Sequence, residues 1–443
     1  MELSALSKIY REAGIVGAGG AGFPTYAKLN SNAKTILLNC AECEPLLRLH
    51  RQLLKFHAPE IVSAFDETRK SVGAEEGIVC IKEHYKGAID AVTALLPEYP
   101  ALKLKVLRKV YPAGDEVMLI YDATGKVVRP GGLPIECGVA VFNVETMYNA
   151  CHALKGEPIV SKLVTIAGEV KVPKTLRLPL GAKLSEAVKL AGGETIKDYV
   201  YWVGGPMMGK IASPSDPVTK TTNSVFVLPS DSFVVNKLRS DVKIEIGRAA
   251  ASCCQCRTCT DMCPRNNVGH PIEPHKIMRA AACNDFSDVS AFLNTFYCCG
   301  CGVCELYACP QGLSPRKLIQ TIKDALRANG VKPPKDTQAS GVNPMRDFRR
   351  VPLERLVARL GVKKYQTDAP LDNQLIDGFS EVNILCSQHI GAPAVPVVKI
   401  GDKVECGQVV AKAAEGLSVN IHASISGIVT GVTPKCITVK KVD

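Results

Sequence analysis

Gly17-Ala18-Gly19-Gly20-Ala21-Gly22-Phe23-Pro24 contains the spacing G-x-G-x-x-G, and its flanks decide how the N-terminal domain folds. Backbone without Cβ atoms lets a phosphate approach amide groups near a helix N-terminus. The usual dinucleotide fingerprint requires a strand before the glycines. Here Leu3, Leu6, Ile9 and Tyr10 share one face of a short helix ending near Gly14, and the first strand-like run, Thr35-Ile36-Leu37-Leu38, comes only after the loop. The loop suits a phosphate-bearing ligand but fails the ordinary Rossmann context.

Outward from the loop, strand-like runs at 77–80 and 102–106 alternate with helical stretches such as 85–96, the pattern of an α/β layer over residues 1–155. Short β-type segments at 163–166, 199–203 and 225–228 surround one helix at 183–191 and predict a compact α+β module over 160–232, with 204–209 (Gly-Gly-Pro-Met-Met-Gly) as an ordered loop. Residues 243–330 read as helical between cysteine runs, and 331–370 as a basic linker and a helix carrying Leu353, Leu356, Val357 and Leu360. Residues 380–443 return to strands and turns. A chain of 443 residues is long enough for several such cores at ~100–200 residues per domain.

An apolar fraction of 46% with 22% charged residues excludes disorder and fibrous architectures. Aromatics make up only 5% with Trp202 the one tryptophan, which argues against stacking platforms for nucleic acid. No apolar run reaches the ~20 residues that cross a bilayer, and the charged amphipathic start lacks a signal-peptide core, so the expected location is the cytoplasm. The net charge of +11 is partly local: residues 331–364 hold nine basic side chains against three acidic ones, a net +6. A solvated helix face is the plain reading of that run, with docking to an acidic partner or anionic ligand next and DNA last.

Of nineteen cysteines, eleven fall between Cys253 and Cys309. In a reducing compartment that density reads as metal binding. Cys253-x₂-Cys256-x₂-Cys259-x₃-Cys263-Pro264 matches the bacterial ferredoxin rhythm, and Cys298-x₂-Cys301-x₂-Cys304-x₄-Cys309-Pro310 repeats it with one extra residue. On the crossed rule of that pattern, Cys253, Cys256 and Cys259 with Cys309 hold one [4Fe-4S] cluster, and Cys298, Cys301 and Cys304 with Cys263 hold another. The alternative is a pair of zinc sites, but three cysteines at two successive x₂ gaps followed by Cys-Pro, twice over, exceed what zinc needs. The doublet partners Cys254 and Cys299 fall out of register and are expected to pack as small apolar groups. Two clusters carry single electrons and ask for a two-electron partner.

The glycine loop followed by Asn39-Cys40-Ala41-Glu42-Cys43-Glu44-Pro45 resembles the flavin and NADH loop of the complex I 51-kDa subunit and its relatives, the Rnf complex C protein and the cobalamin reductase PduS. Tyr111-Pro-Ala-Gly114-Asp115-Glu116, Gly131-Gly132-Leu-Pro134 and Phe142-Asn143-Val-Glu145-Thr146 recur in that family in the same order. The resemblance implies a multidomain α/β and α+β chain: a 51-kDa-like, Rossmann-type flavin domain, an SLBB β-grasp, a helical two-cluster ferredoxin segment and a C-terminal barrel-sandwich hybrid. Carried over residue by residue, Gly17, Gly19, Gly20 and Lys28 are the FMN phosphate cradle, with Asn39, Glu42, Phe142 and Asn143 around the flavin and Glu44, Asp115 and Glu116 near the nicotinamide nucleotide. Carboxylates suit ribose hydroxyls, which need acceptors, and Lys28 can neutralise phosphate. Ala18 stands where the complex I loop carries an arginine. Cys40 and Cys43 form a further Cys-x₂-Cys, a minor candidate for a redox pair or half a zinc site, and His50, His57 and His84 read as solvated or satisfied core residues.

The C-terminal segments 397–411 and 421–429 resemble the halves of a lipoyl or biotinyl domain, whose hairpin tip carries a modified lysine. Gly416 stands at that tip here, so no arm can attach and the module is expected to act as a clamp or docking surface. The implied activity is NADH oxidation by FMN and delivery of single electrons through the two clusters. Three ends of that path stay open: cobalamin, with a bacterial microcompartment as one setting; a partner flavoprotein such as methylenetetrahydrofolate reductase in a protein complex; or no enzymatic role beyond electron transfer and docking.

Overall fold

A computed structural model describes residues 1–442. Helix α1 (Leu3–Glu12) buries Leu6 and Tyr10 completely and leads into the glycine loop. Strands β1 (Thr35–Cys40), β2 (Glu76–Lys82) and β3 (Leu102–Leu107) follow, then the short β4 (Val110–Tyr111) and β5 (Val139–Asn143). β3, β2, β1 and β5 lie in that order in one parallel sheet. These strands are apolar on both faces because helices cover both sides. Ile36, Leu38, Val79 and Phe142 enter one buried cluster and Leu37, Ile78, Cys80 and Val141 another.

The sheet is wound by α2 (Leu49–Val72), α3 (Lys86–Leu95), α4 (Glu116–Thr124) and α5 (Val144–Leu154). The long α2 escapes a reading of the sequence because Pro59 and a non-helical His57 (φ −131°, ψ 28°) kink it and break its period. Strands β6 (Ser161–Gly168), β7 (Lys174–Pro179), β8 (Tyr199–Val203), β9 (Lys210–Ala212) and β10 (Ser224–Pro229) pack on α6 (Leu184–Leu190). Helices then frame the two cysteine runs, ending with Pro315–Ala328.

The basic linker is not a free tether. Its β11 (Val351–Pro352) pairs antiparallel with β4, and β12 (Leu371–Leu375) joins β7 to complete a sheet ordered β12-β7-β6-β10-β8-β9. Strand pairing presses the linker against the α/β layer, and acids from other segments take up its charge: Asp122 faces Arg346 and Arg350, Asp261 faces Arg349, and Glu169 faces Lys364. Of the nine basic side chains only Arg346, Arg349 and Arg350 turn inward; Lys332, Lys335, Arg355, Arg359, Lys363 and Lys364 stay exposed, so the solvated reading holds on the helix and fails at 346–350.

The C-terminal strands, from Glu381–Leu385 to Cys436–Lys440, form a four-stranded and a three-stranded sheet. Their core is continuous with that of the β-grasp, since Val382, Ile437 and Val439 pack in one cluster with Val164, Ile166 and Val225. The hairpin tip is docked on the flavin-type domain. Tyr26 Oη donates to Gly416 O (3.1 Å), and Arg11 donates to Ala414 O (3.1 Å) and Ser418 O (3.3 Å). Gly22 is packed so closely that a Cβ would meet Thr221, Gln388 and His389 at 3.0–3.2 Å.

Lys220 stitches this junction from inside, donating to Gly14 O (2.6 Å) and Asn420 O (3.2 Å). Burial pushes its ammonium down to about 7. In the unfolded chain the group keeps its ordinary value of ~10.4, so above neutrality the unfolded state binds the extra proton and folded-state stability rises with pH. Relative to Lys220→Met, the unaltered chain should gain stability by up to about 1.4 kcal/mol per pH unit between neutrality and pH ~9, measured by denaturant unfolding. Parallel pH profiles for the two chains would refute this.

Candidate functional site

β1 and β5 are neighbours whose connections leave toward opposite ends of the sheet, β1 running on to β2 and β5 standing on the far side. Such a switch point leaves a crevice outside the strand carboxyl ends. Asn39, Phe142 and Asn143 reach it. The glycine loop closes it from outside, folded back so that Gly17 N–H donates to Phe23 O (2.9 Å) and Thr25 N–H to Ile15 O (3.1 Å). Ala18, at the place of the family's arginine, is buried and its N–H donates to Thr146 Oγ1 (3.1 Å). At Gly19 a Cβ would stand 2.3 Å from Asn143 Nδ2, while Gly20 faces open space. One glycine lets the loop lie on Asn143, and the next leaves the cleft clear.

The resulting cleft, about 660 Å³, brings together Gly17, Gly19, Gly20, Lys28, Asn39, Glu116, Phe142 and Asn143. Lys28 Nζ lies 3.1 Å from Glu116 Oε1 and donates to Val141 O (3.2 Å). Glu116, expected beside the nicotinamide nucleotide, is thus paired with Lys28, the residue expected at the flavin phosphate. Asn39 is a positioning residue: its Nδ2 donates to Gly114 O (3.0 Å) and its Oδ1 accepts from Ala41 N (3.0 Å). Asn143 Oδ1 caps α5 by accepting from Glu145 N (2.8 Å).

A second cleft of about 1230 Å³ shares Gly19 and Gly20 as a wall. It gathers Glu42, Glu44, His50, Tyr111 and Asp115 with Met208 and Asn223 of the β-grasp and Cys299 and Cys301 of the second cysteine run. Glu44 accepts from Met207 N (2.9 Å), and burial pushes its carboxyl up to about 7. Asp115 is engaged at both oxygens, capping α4 through Val117 N (3.1 Å) and Met118 N (3.2 Å) and pairing with Arg265 (2.8 Å). Burial favours neutral His50, whose Nε2 lies 3.2 Å from Asn143 Nδ2.

Across both clefts, buried polar atoms lack hydrogen-bond partners: Thr25 Oγ1, Glu44 Oε1, His50 Nδ1 and Asn223 Oδ1, while Glu42 Oε2 faces only Arg51 Nε at 3.6 Å. Buried polar groups are otherwise almost always paired, so a ligand bearing hydroxyl and amide groups is what this lining fits. With the bare glycine cradle and Lys28 it suits a flavin phosphate on one side and a nucleotide on the other.

The cysteines of the two runs interleave in the folded chain. Cys253, Cys256, Cys259 and Cys309 line one pocket. Cys263 faces Cys299 and Cys298, Cys301 faces Cys299, Cys263 and Cys304, and Cys304 faces Cys298 and Cys263, with Cys259 of the other run beyond them. Burial, together with neighbouring thiols, pushes Cys259 and Cys263 up to about 12. Four thiolates gathered in one cage need compensating positive charge, which the iron of a cubane would provide, and the all-sulfur donor set fits that group. Among the described residues no three His, Cys, Asp or Glu side chains converge as a single-ion site.

The second run faces the flavin side, where Tyr111 Oη donates to Cys301 O (2.7 Å), and the first opens to solvent, with Cys254 and Cys256 exposed. The expectation that Cys254 and Cys299 merely pack is corrected: Cys254 is exposed, and Cys299 lines the second cleft beside Arg265. Cys40 is fully buried and Cys43 Sγ accepts from Gly114 N (2.7 Å), which ties that Cys-x₂-Cys to loop packing. Thr25, Tyr111, Asn223 and Arg265 join the site without having stood out as candidates in the sequence, and His50 joins it from among the core histidines. Arg265 directly follows Cys263-Pro264 and Tyr111 opens the motif that ends at Glu116, whereas Asn223 carries no local signal.

Residues 10–152 match the family model described as the Nuo51 FMN-binding domain, 163–210 an SLBB domain, 252–314 a 4Fe-4S dicluster domain and 359–442 an RnfC barrel sandwich hybrid domain. The chain is 40% identical, over 99% of its length and 97% of the relative's, to the cobalamin reductase PduS of Salmonella typhimurium. It belongs to the PduS cobalamin reductase family. PduS of Citrobacter freundii is likewise 40% identical over 97% of this chain and 95% of its own. The C component of the Na⁺-translocating ferredoxin:NAD⁺ oxidoreductase complex of Acetobacterium woodii is 31% identical over 60% of this chain and 58% of that component. Among solved structures, the NAD⁺-reducing [NiFe]-hydrogenase in its H₂-reduced state shares the fold over 75% of this chain and 64% of its own, with a TM-score of 0.50 at 20% identity. As a member of the PduS family the chain is an oxidoreductase with an FMN-binding and a 4Fe-4S dicluster domain. No helix among the described residues is long and apolar enough to cross a membrane.

Proposed function

We propose that this protein oxidises NADH and passes the electrons singly to a cobalamin. The observation that carries the reading is the second cleft, which runs from the glycine loop to Cys299 and Cys301 and so joins a nucleotide-sized opening to the edge of a cysteine cage. Bound FMN exchanges electrons in pairs with NADH and singly with iron-sulfur clusters, which supplies the conversion between the two regimes.

In this reading Gly17, Gly19 and Gly20 present bare backbone to the flavin phosphate, and Lys28 neutralises it. Phe142 and Asn143 wall the ring site, with Asn39 fixing the neighbouring loop. Glu42 and Glu44 offer acceptors to ribose hydroxyls on the nicotinamide side, where Asp115 contributes through the Arg265 pair rather than through a free oxygen. Cys298, Cys301, Cys304 and Cys263 form the near cage, and Cys253, Cys256, Cys259 and Cys309 the far one. The order is supported by Cys299 and Cys301 lining the cleft while Cys254 and Cys256 are exposed. No side chain needs to act as general acid or base. A second reading, delivery to a partner flavoprotein such as methylenetetrahydrofolate reductase, is favoured by the likeness to the component of the ferredoxin:NAD⁺ oxidoreductase complex.

Anaerobic protein loaded with FMN and iron should bleach at both flavin and cluster bands when NADH is added, and cob(III)alamin should restore the colour as it is itself reduced. Failure to bleach would overturn the proposal. Bleaching without turnover of cobalamin, in protein that co-purifies with a flavoprotein, would transfer the case to the second reading.

A further inference from the structure

We propose that the linker segment around Arg346 and Arg350 is a positioning strap, locked on Asp122, that sets the placement of the near cysteine cage against the flavin cleft. The inference rests on the electron path proposed above and adds to it residues that touch neither cofactor. Asp122 lies on α4, on the flavin-type domain. Its Oδ1 accepts from Arg346 Nη1 (2.8 Å) and Arg350 Nη2 (2.8 Å), and its Oδ2 accepts from Arg350 Nη1 (3.2 Å). The carboxylate and the Arg346 side chain are only 10% and 9% exposed, and the Arg346 guanidinium lies 4.7 Å from the centre of the Tyr121 ring. The exposed Asp347 also faces Arg350 (2.9 Å) and Arg346 (3.8 Å), but Asp122 is the largely buried carboxylate that joins the two arginines to α4. Burying such a cluster costs desolvation that its attraction does little more than offset, so it is poor evidence for stability and a candidate for fixing geometry.

The lock holds β11 on β4, with Val351 opposite Tyr111 and Leu353 N–H donating to Lys109 O (3.3 Å). Tyr111, held in that register, donates from Oη to Cys301 O (2.7 Å). The chain of contacts therefore runs from Asp122 through the strap to β4, and from Tyr111 to the backbone of a cysteine of the near cage. Arg349 of the same strap also faces Asp261, between Cys259 and Cys263, at 3.5 Å. Asp122, Arg346 and Arg350 are positioning residues, since they act through Tyr111.

The test uses the full chain loaded with FMN and iron. In Asp122→Asn, flavin bleaching by NADH should keep its rate while cluster bleaching slows several-fold, because electron transfer between separated centres weakens with their distance. Hydrogen exchange should rise at the amides of 109–111 and 351–353. Arg350→Lys, which keeps the charge but loses the forked contact, should move both readouts in the same direction by less. Combined with Tyr111→Phe, Asp122→Asn should add little further slowing, because both cut one chain of contacts. Unchanged exchange, unchanged cluster bleaching where exchange has risen, or full additivity with Tyr111→Phe would each overturn the strap. An unaltered protein whose flavin does not respond to NADH counts instead against the proposed function, and hydrogen exchange then still decides whether Asp122 holds the strap.

Discussion

Alanine at Gly19 should yield a protein that keeps its iron and sulfide but purifies with little flavin. The added Cβ would sit 2.3 Å from Asn143 Nδ2. Asn143 has little freedom to yield, because its Oδ1 caps α5 and its Nδ2 lies against His50 Nε2. The loop has little either, with Ala18 tied to Thr146 on one side of it and Gly22 wedged against His389 on the other. Overpacking of this kind costs about 1–3 kcal/mol. Charged to the bound conformation of the loop, that weakens FMN binding roughly tenfold to a hundredfold. Gly247→Ala, whose added Cβ also meets only open space but which lines neither cleft, is the control and should keep its flavin. Flavin-to-protein ratios of the two variants decide the matter, and a Gly19→Ala protein with full flavin would remove the loop from the binding site.

Cys263→Ser should halve the iron content and disconnect the remaining cluster from NADH. In the crossed arrangement Cys263 completes the cage of Cys298, Cys301 and Cys304, which stands on the side of the flavin cleft. Flavin should still bleach with NADH, while the cluster held by Cys253, Cys256, Cys259 and Cys309 stays oxidised. Cys309→Ser should also halve the iron, yet leave a cluster that NADH reduces. Iron analysis with electron paramagnetic resonance after NADH addition separates the two. If Cys263→Ser instead retained the NADH-reducible cluster and Cys309→Ser lost it, the sets would be uncrossed.

The cysteine cages and the glycine loop are legible in the sequence because their chemistry is local. Thiols at successive two-residue gaps allow few other uses, and a run of bare backbone before a short strand leaves few as well. The alternation of β1 to β3 with helices is readable for the same reason, although α2 vanishes behind Pro59. What cannot be read depends on partners distant in the chain. Arg346 and Arg350 pass for solvated charge because Asp122, which takes them inward, lies more than two hundred residues earlier. The hydroxyl of Tyr111 acquires its role only when Cys301 arrives beside it. Asp115 and Glu116 are adjacent, yet one is spent on a helix cap and Arg265 while the other meets Lys28. No spacing rule distinguishes them.

The docking of the Gly416 tip on Tyr26, with Gln388 and His389 behind Gly22, gives the molecule a timetable. Domains emerge from the ribosome N-terminal first, so the α/β layer is made long before the barrel that braces its loop. Until the barrel is made, Gly22 and Tyr26 lack these contacts, and the glycine loop is braced only by the bonds of its own layer.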